Sequence, residues 1–485
     1  MTSERRLPEP PPRDLFGRPR AWRVAFAAAI AVAVISRVVG IGQWSFASDE
    51  LGTFHDVRMF LGDEEYAHDD PDRNVPKMVP VAMALHAASH AVFGTGEAGS
   101  RALPAVCGVL QVVLVGLGLK YLLGRTPAFA TAALLAVSPE HLFYAQYHRF
   151  YAPAALFATL AFLAAARSLG LNSARRMVWA CAAAMLAVLT HTLVGMIFGG
   201  FVVAAALARA MPDGARSNRL LLAAAGGAVF AALFAALYLY PLAKGKAVGY
   251  GWEGYSISHA VFSGVSQVTW PVAVFSVPGL VILWKRDRVQ AAFWGSQAAV
   301  WAASLLVLPK MLPFHSAYVF PLCLPVIVLG GVAVGEIADR LTPVSKLAGL
   351  TGLAGLLMLN LPAVVSHYQD GSRHDFRAAA NWVGDRIGPT DVMVVVQGDK
   401  LSHYRPELEG RWHRLPYKDI PKFVDDRRPA DGQVWVVLPG GRGGLPEPWR
   451  EWAEKNARWR ATIVHRRFDY HEYPIYILAE DRPGR

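Results

Sequence analysis

Over its first 365 positions the chain alternates long apolar runs with short polar connections, and then the alternation stops. The runs fall at about 24–41, 102–119, 127–143, 151–166, 177–193, 195–208, 220–240, 267–284, 290–308, 315–337 and 347–365. A helix needs about 20 apolar residues to cross a bilayer, so this pattern predicts about eleven spans. Two amphipathic pieces, 49–61 and 76–93, sit in the connection between the first and second runs, at about 42–100. Each is too short to span and suits a helix lying at the membrane interface. Beyond about 366 the pattern becomes that of a soluble domain. Helical periodicity covers 375–386 and 449–457, and short β-branched runs at 392–397, 434–438 and 473–479 predict buried strands. The predicted architecture is mostly α. It has a cytoplasmic basic tail (1–23), a polytopic transmembrane helix bundle (24–365) and a C-terminal extracytoplasmic α/β domain (366–485).

Composition agrees. The chain has 485 residues, of which 54% are hydrophobic and only 18% charged, against about a quarter charged in a soluble domain. The net charge of +11 would suit nucleic acid if the basic residues clustered on one face. They lie instead in short loops between spans, where membrane orientation requires them. The tail carries Arg5, Arg6, Arg13, Arg18, Arg20 and Arg23, and the alternate loops carry Lys120 and Arg125, then Arg167, Arg175 and Arg176. They continue with Arg209, Arg216 and Arg219, with Lys285, Arg286 and Arg288, and with Arg340 and Lys346. This threading puts the N-terminus in the cytoplasm. An odd number of spans then carries the C-terminal domain to the periplasmic or extracellular side of a plasma (inner) membrane. No small-residue cleavage site follows the first run, so it reads as an uncleaved span. Cys107, Cys181 and Cys323 all fall in apolar runs, which suits packing and neither a metal site nor a disulfide framework. No Walker loop, Rossmann glycine fingerprint or fixed-period repeat occurs, which argues against an ATP-driven machine.

Candidate chemistry gathers at the outer ends of the spans. Asp49 and Glu50 follow the first span directly. A carboxylate at a bilayer edge is costly unless it faces water, a cation or a reacting group, so the pair is either a solvated boundary or a catalytic element. Between the third and fourth runs the stretch 138–151 places Pro139 where a helix must end. It then presents Tyr144, His148, Arg149 and Tyr151. A snorkelling arginine in an aromatic belt is the plainer account; an arginine fork for a phosphate is the functional one. Lys77, His191, Lys244, Lys246, Tyr250, Trp252, Lys310, His315 and Tyr318 fall on the same predicted face. Taken together they predict a cationic, aromatic-lined cavity suited to a lipid phosphate and a sugar. Asp70-Pro71-Asp72 has the Asp-x-Asp form of a metal-nucleotide site, but it is a three-residue match inside an acidic run. No metal or other cofactor is expected.

The order of these features resembles a known class. The Asp-Glu pair precedes interfacial helices, Arg-Ala-Leu-Pro-Ala leads into the next span, and Leu-Ala-Val-Ser-Pro-Glu-His-Leu-Phe-Tyr-Ala-Gln-Tyr-His-Arg-Phe-Tyr-Ala follows. It resembles the GT-C polytopic glycosyltransferases, and among them bacterial protein O-mannosyltransferases and lipid A aminoarabinose transferases. The resemblance runs over most of the chain. It implies a catalytic carboxylate at Asp49, with Glu50 beside it, and a donor-phosphate lysine at Lys77, in Val-Pro-Lys-Met-Val-Pro. Tyr147-His148-Arg149 stands where many relatives have Glu-Ala-Arg, and Ala317-Tyr318 where they often have Arg-Tyr. The implied reaction is sugar transfer from a polyprenyl-phosphate donor to a hydroxyl of an envelope acceptor. A transporter or flippase of a lipid-linked sugar is the alternative, although transporters place their charges nearer the bilayer midplane. A scaffold binding cell-wall polymer is a third, and leaves the carboxylate pair unexplained. The threading predicts that a reporter fused after Arg485 is active outside the cytoplasm; cytoplasmic activity would overturn the shared outer face.

Overall fold

The computed structural model describes residues 15–16, 19–63, 80–211, 218–236, 257–311, 315–341, 346–370, 373–395, 398–414, 422, 432–439, 457–466 and 472–480. They divide into two compact units. One comprises Met1–Val39, Asp56–Thr95 and Gly99–Leu361, and the other Gly40–His55, Gly96–Ala98 and Pro362–Arg485.

Helices run in the order α1 (Pro19–Val38), α2 (Ser48–Phe60), α3 (Pro80–Phe93), α4 (Glu97–Leu122), α5 (Arg125–Ala136), α6 (Pro139–Ala145), α7 (Tyr151–Leu171), α8 (Ala174–Thr190) and α9 (Ile197–Ala210). They continue with α10 (Asn218–Phe234), α11 (Ile257–Val268), α12 (Trp270–Arg286), α13 (Arg288–Met311), α14 (Leu324–Leu341), α15 (Lys346–Met358), α16 (Leu361–Asp370), α17 (Phe376–Gly384) and α18 (Gly398–Tyr404). The two short amphipathic pieces expected in the first outer loop are α2 and α3. Six helical stretches among the described residues are long and apolar enough to cross a membrane, and two bent pairs raise the number to eight. Some of the expected runs are interrupted, and the run at 220–240 extends beyond the described residues. The run at 127–143 breaks at Val137–Ser138, where Pro139 opens α6 and Ser138 caps it through its hydroxyl. The run at 315–337 is a 3₁₀ turn, Ser316–Leu322, bent by 56° against α14.

Reciprocal caps hold the C-terminal end of α1 to this break. A helix ends with unpaired carbonyls, and without water each needs a donor. Arg37, in the last turn of α1 and fully buried, sends its guanidinium to the last carbonyls of α5, at 3.0 Å to both Leu135 and Ala136. Gln146, just past α6, returns its amide nitrogen to the carbonyls of Ser36, Arg37 and Val39 at 3.1, 3.2 and 2.8 Å. On the opposite side, α14 meets α5 through Gly331 and Gly335, one turn apart. A Cβ on Gly331 would lie 2.1 Å from Thr131 Oγ1 and one on Gly335 2.8 Å from the Pro127 nitrogen. Small residues four apart allow this backbone approach, as in other membrane helix pairs.

The second unit contains a five-stranded sheet in the order β2-β1-β3-β5-β4. The strands are β1 (Val392–Val395), β2 (Trp412–Arg414), β3 (Val434–Pro439), β4 (Ala457–Arg466) and β5 (Glu472–Glu480). The first three are parallel, and β5 pairs antiparallel with β3 and β4. Phe376, Ala379 and Val383 of α17 cover Met393, Val395, Trp435, Val437, Ile475 and Ile477. The three expected strands are the central ones. The other two, β2 and β4, sit at the edges and carry Arg and His, as edge strands do. The helix expected at 449–457 lies almost wholly outside the described residues, and Ala457 begins β4. Asp391, buried ahead of β1, accepts from the backbone nitrogens of Gly388 and Gln433 and from Trp435 Nε1.

Gly331→Val is expected to lower bundle stability by about 1–3 kcal/mol, the usual cost of overpacking. A thermal midpoint in detergent equal to that of the parent would show that α14 and α5 can part without loss.

Candidate functional site

In the second unit the Asp49-Glu50 stretch is positioned by the C-terminal residues. Glu50 is the third residue of α2, and its Oε2 accepts from the Ala47 backbone nitrogen at 2.9 Å, the reach-back half of a capping box. The same oxygen accepts from Arg373 Nη1 at 2.7 Å, with the two side chains 0% and 2% exposed. Phe46 donates its backbone N–H to the Tyr404 hydroxyl at 2.6 Å, and the Ser45 hydroxyl donates to the His374 carbonyl at 3.2 Å. Arg377 pairs with Glu97 and lies over the Tyr404 ring. Burial pushes the Tyr404 phenol above its ordinary range and the His403 imidazole below its own. Glu50 is thus committed to a buried ion pair, while Asp49 beside it is exposed. One member of the pair holds the helix start and the other meets solvent.

In the first unit the stretch 138–151 forms an aromatic and histidine cluster. Tyr144 and Tyr151 have ring centroids 4.8 Å apart, and His191 lies 5.6 Å from Tyr151 and 6.0 Å from Tyr318. His315 is 6.2 Å from Tyr318, and its Nδ1 accepts from the Ala317 backbone nitrogen. Arg149 is half-buried with its guanidinium 4.7 Å over the Phe150 ring. Tyr144, Tyr151, His191, Tyr318 and His315 are therefore brought together. His148 takes a different direction. It is fully buried against His86 and His90 of α3, at 4.6 and 5.1 Å between ring centroids. Val57, Ala82, Met83 and Ala87 form an apolar cluster against which Phe150 packs.

His86 and His90 were not among the residues singled out from the sequence. The signal was present as His86-x-x-x-His90, an i, i+4 pair on one face of a predicted helix. Arg373 carried no such signal, because its partner is 323 positions away. Lys77, Lys244, Lys246, Tyr250, Trp252, Asp70 and Asp72 lie outside the described residues. Lys310 is exposed near the end of α13. Among the described residues no group of three or more His, Cys, Asp or Glu side chains is arranged to hold a metal ion.

Arg373→Met would leave Glu50 buried without its ion-pair partner, and stability should fall by about 3–5 kcal/mol. Asp49→Asn should leave the unfolding midpoint unchanged. Equal midpoints for Arg373→Met and the parent would show that the pair does not hold this segment.

No protein-family model matches the chain, and no curated protein sequence matches it. Solved structures do. The apo crystal structure of ArnT from Cupriavidus metallidurans superposes with a TM-score of 0.55 at 14% identity, covering 95% of this chain and 98% of that one. The same protein bound to undecaprenyl phosphate gives 0.52 at the same identity and coverage. The Archaeoglobus fulgidus oligosaccharyltransferase in complex with Zn and sulfate gives 0.50 at 14% identity, over 86% of this chain and 68% of that one. A helix bundle and a C-terminal α/β unit, matched along nearly the whole chain by ArnT, give this chain the polytopic GT-C fold.

Proposed function

We propose that this protein is a membrane glycosyltransferase that moves a hexosyl or pentosyl unit from a polyprenyl-phosphate-linked donor to a hydroxyl of an envelope acceptor. The reaction takes place on the outer face of the plasma membrane. The observation that carries the reading is the likeness to ArnT along almost the whole chain, one of whose structures holds undecaprenyl phosphate. The division of labour within Asp49-Glu50 supports it. Glu50 is committed to a buried ion pair, and the exposed Asp49 is the member of the pair that an acceptor hydroxyl could approach.

In this reading Asp49 takes the proton of the acceptor hydroxyl as its oxygen attacks the anomeric carbon. A new carbon–oxygen bond forms, and the bond from the sugar to the donor phosphate breaks. The electron pair leaves with the polyprenyl phosphate, whose charge grows by one. Arg149 and Lys77 offset that charge, since cations aimed at a leaving group stabilise the transition state. Tyr144, His148, Tyr151, His191, His315 and Tyr318 are the residues assigned to binding the donor. Glu50 positions the start of α2. The energy for transfer comes from the lipid-phosphate linkage, so neither a nucleotide nor a metal enters the scheme.

The test is incubation of the purified protein with polyprenyl-phosphate sugars and extracted envelope acceptors, following loss of sugar from the lipid. Asp49→Asn should reduce turnover by roughly 10²–10⁴, the usual contribution of a positioned base, with donor binding retained. Arg149→Ala should weaken donor binding by roughly tenfold or more, the loss of one charge-assisted contact. No sugar loss with any donor, or full turnover in Asp49→Asn, would overturn the respective assignment.

A further inference from the structure

A groove of about 730 Å³ opens on the helical unit between α8 and α10, with Phe198 of α9 also lining it. That volume is in the range of small-molecule sites, and every lining residue is aliphatic, aromatic, Cys or Gly. Cys181 of α8 and Gly227 of α10 bring the two helices together: a Cβ on Gly227 would lie 2.6 Å from Cys181 Sγ. Beside that contact the helices part. A Cβ on Gly226, which lines the groove, would meet nothing within 4 Å.

Both walls follow helical spacing. On α8 the groove is lined at Val178, Ala182, Met185 and Leu189, and on α10 at Leu222, Gly226 and Phe230. Steps of three or four keep these residues on one face of each helix. Each stripe continues, one turn toward the helix start, into an exposed arginine. Arg175 stands three positions before Val178, and Arg219 three before Leu222. Short connections reverse the chain after α8 and again after α9, so α8 and α10 begin at the same end. There Arg209 Nε, in the last turn of α9, donates to Asn218 Oδ1 at 2.7 Å, and Arg176 and Arg209 are exposed as well. The connection at 211–217 adds Arg216 and Asp213 in sequence. Five arginines against one aspartate leave this end basic however the individual charges pair. Membrane orientation accounts for basic connections. It does not account for arginines that continue both walls of one groove.

We propose that the groove between α8 and α10 holds an acyl chain of an anionic bilayer phospholipid, whose phosphate is met by Arg175 and Arg219 at its basic end. The dimensions agree. From Val178 to Leu189 the α8 wall runs about 16 Å at 1.5 Å per residue, and one leaflet is about 15 Å deep, half of the hydrocarbon core. A chain anchored at the basic end therefore reaches the far end of the groove. The arginine stems can lie along apolar wall while their forks meet a phosphate at the interface. On the threading read from the sequence this end is cytoplasmic, the leaflet where basic pockets between spans collect anionic head groups. Bound there, the lipid fills the gap between α8 and α10 and stabilises the folded bundle by mass action. The polyprenyl-phosphate donor is the competing occupant. It would enter from the opposite end, where α8 reaches His191, and would give Arg175 and Arg219 no part in its binding. The proposal does not rest on the transferase reading.

The test is native mass spectrometry and thermal unfolding of the full chain in detergent. The probes are dioleoyl phosphatidylglycerol, dioleoyl phosphatidylcholine and a short polyprenyl phosphate, each added separately and then in competition. Phosphatidylglycerol should be retained and should raise the unfolding midpoint; phosphatidylcholine, with the same chains and no net charge, should do neither. Arg175→Gln combined with Arg219→Gln should weaken phosphatidylglycerol by roughly thirtyfold, about fivefold for each arginine near the surface. Gly226→Leu fills the groove from a position with open space and should abolish retention of phosphatidylglycerol. Its midpoint without lipid should match or exceed the parent's, because leucine favours a helix over glycine, so loss of binding cannot be laid to misfolding. Equal retention of the two phospholipids would overturn the proposal, and so would phosphatidylglycerol binding indifferent to Gly226→Leu. Polyprenyl phosphate that displaces phosphatidylglycerol and is itself lost in Gly226→Leu would give the groove to the donor's tail instead. None of these readouts involves sugar transfer, so failure of the transferase reading leaves them standing.

Discussion

Carbonyl groups at a helix end inside a bilayer must find donors within the protein, and this requirement organises the helical unit. Arg37 leaves α1 to cap α5, and Gln146 comes back from the break after α6 to cap α1. Each helix end is closed by a side chain from the other's neighbourhood, so the two ends cannot move apart without stranding polar groups in an apolar medium. That cross-bracing fixes the start of the stretch leading to His148, Arg149 and Tyr151. It also assigns a role to Gln146. Its amide is spent on the backbone of α1. The close approach of α14 to α5 at Gly331 and Gly335 holds the same helix from the other side.

A parallel constraint operates in the second unit. Ionised groups withdrawn from water persist only when paired and hydrogen-bonded, and Glu50 meets that condition through Arg373 and the Ala47 nitrogen. The pair ties the beginning of α2 to the residues just before α17. Phe46 on the Tyr404 hydroxyl and Arg377 on Glu97 add further ties. The C-terminal unit therefore includes the segment that carries the carboxylates, and its sheet, held together by Asp391 and the apolar face of α17, is the base on which that segment rests. Asp49 gains a defined position because its neighbour has lost its freedom.

The histidines illustrate a different use of burial. An imidazole costs less to bury neutral than charged. His86 and His148 meet edge to face with ring centroids 4.6 Å apart, and the His90 ring lies 5.1 Å from that of His148. Around His191, Tyr151 and Tyr318 supply rigid apolar walls with hydroxyl tips.

The linear pattern by itself determined much of this protein. Apolar runs with basic connections announce a polytopic bundle because the bilayer sets the length of a span and the cost of a charge in it. Pro139 announces the break after α5, since its ring cannot continue a helix. The central strands β1, β3 and β5 were legible as β-branched runs, and β2 and β4 were not, because edge strands carry the polar residues that mark loops as well. The GT-C resemblance, read from the order of a few motifs, is matched in the fold. Tertiary structure alone decided which carboxylate of Asp49-Glu50 is withdrawn from solvent, because the deciding partner, Arg373, is 323 residues distant. It alone brought His148 of the break against His86 and His90 of α3. Periodicity reports which face of an element is apolar, a local property of the chain. Which polar residues meet beneath that face depends on how the elements cross, and that is fixed by packing and by the need to pair every buried charge and carbonyl.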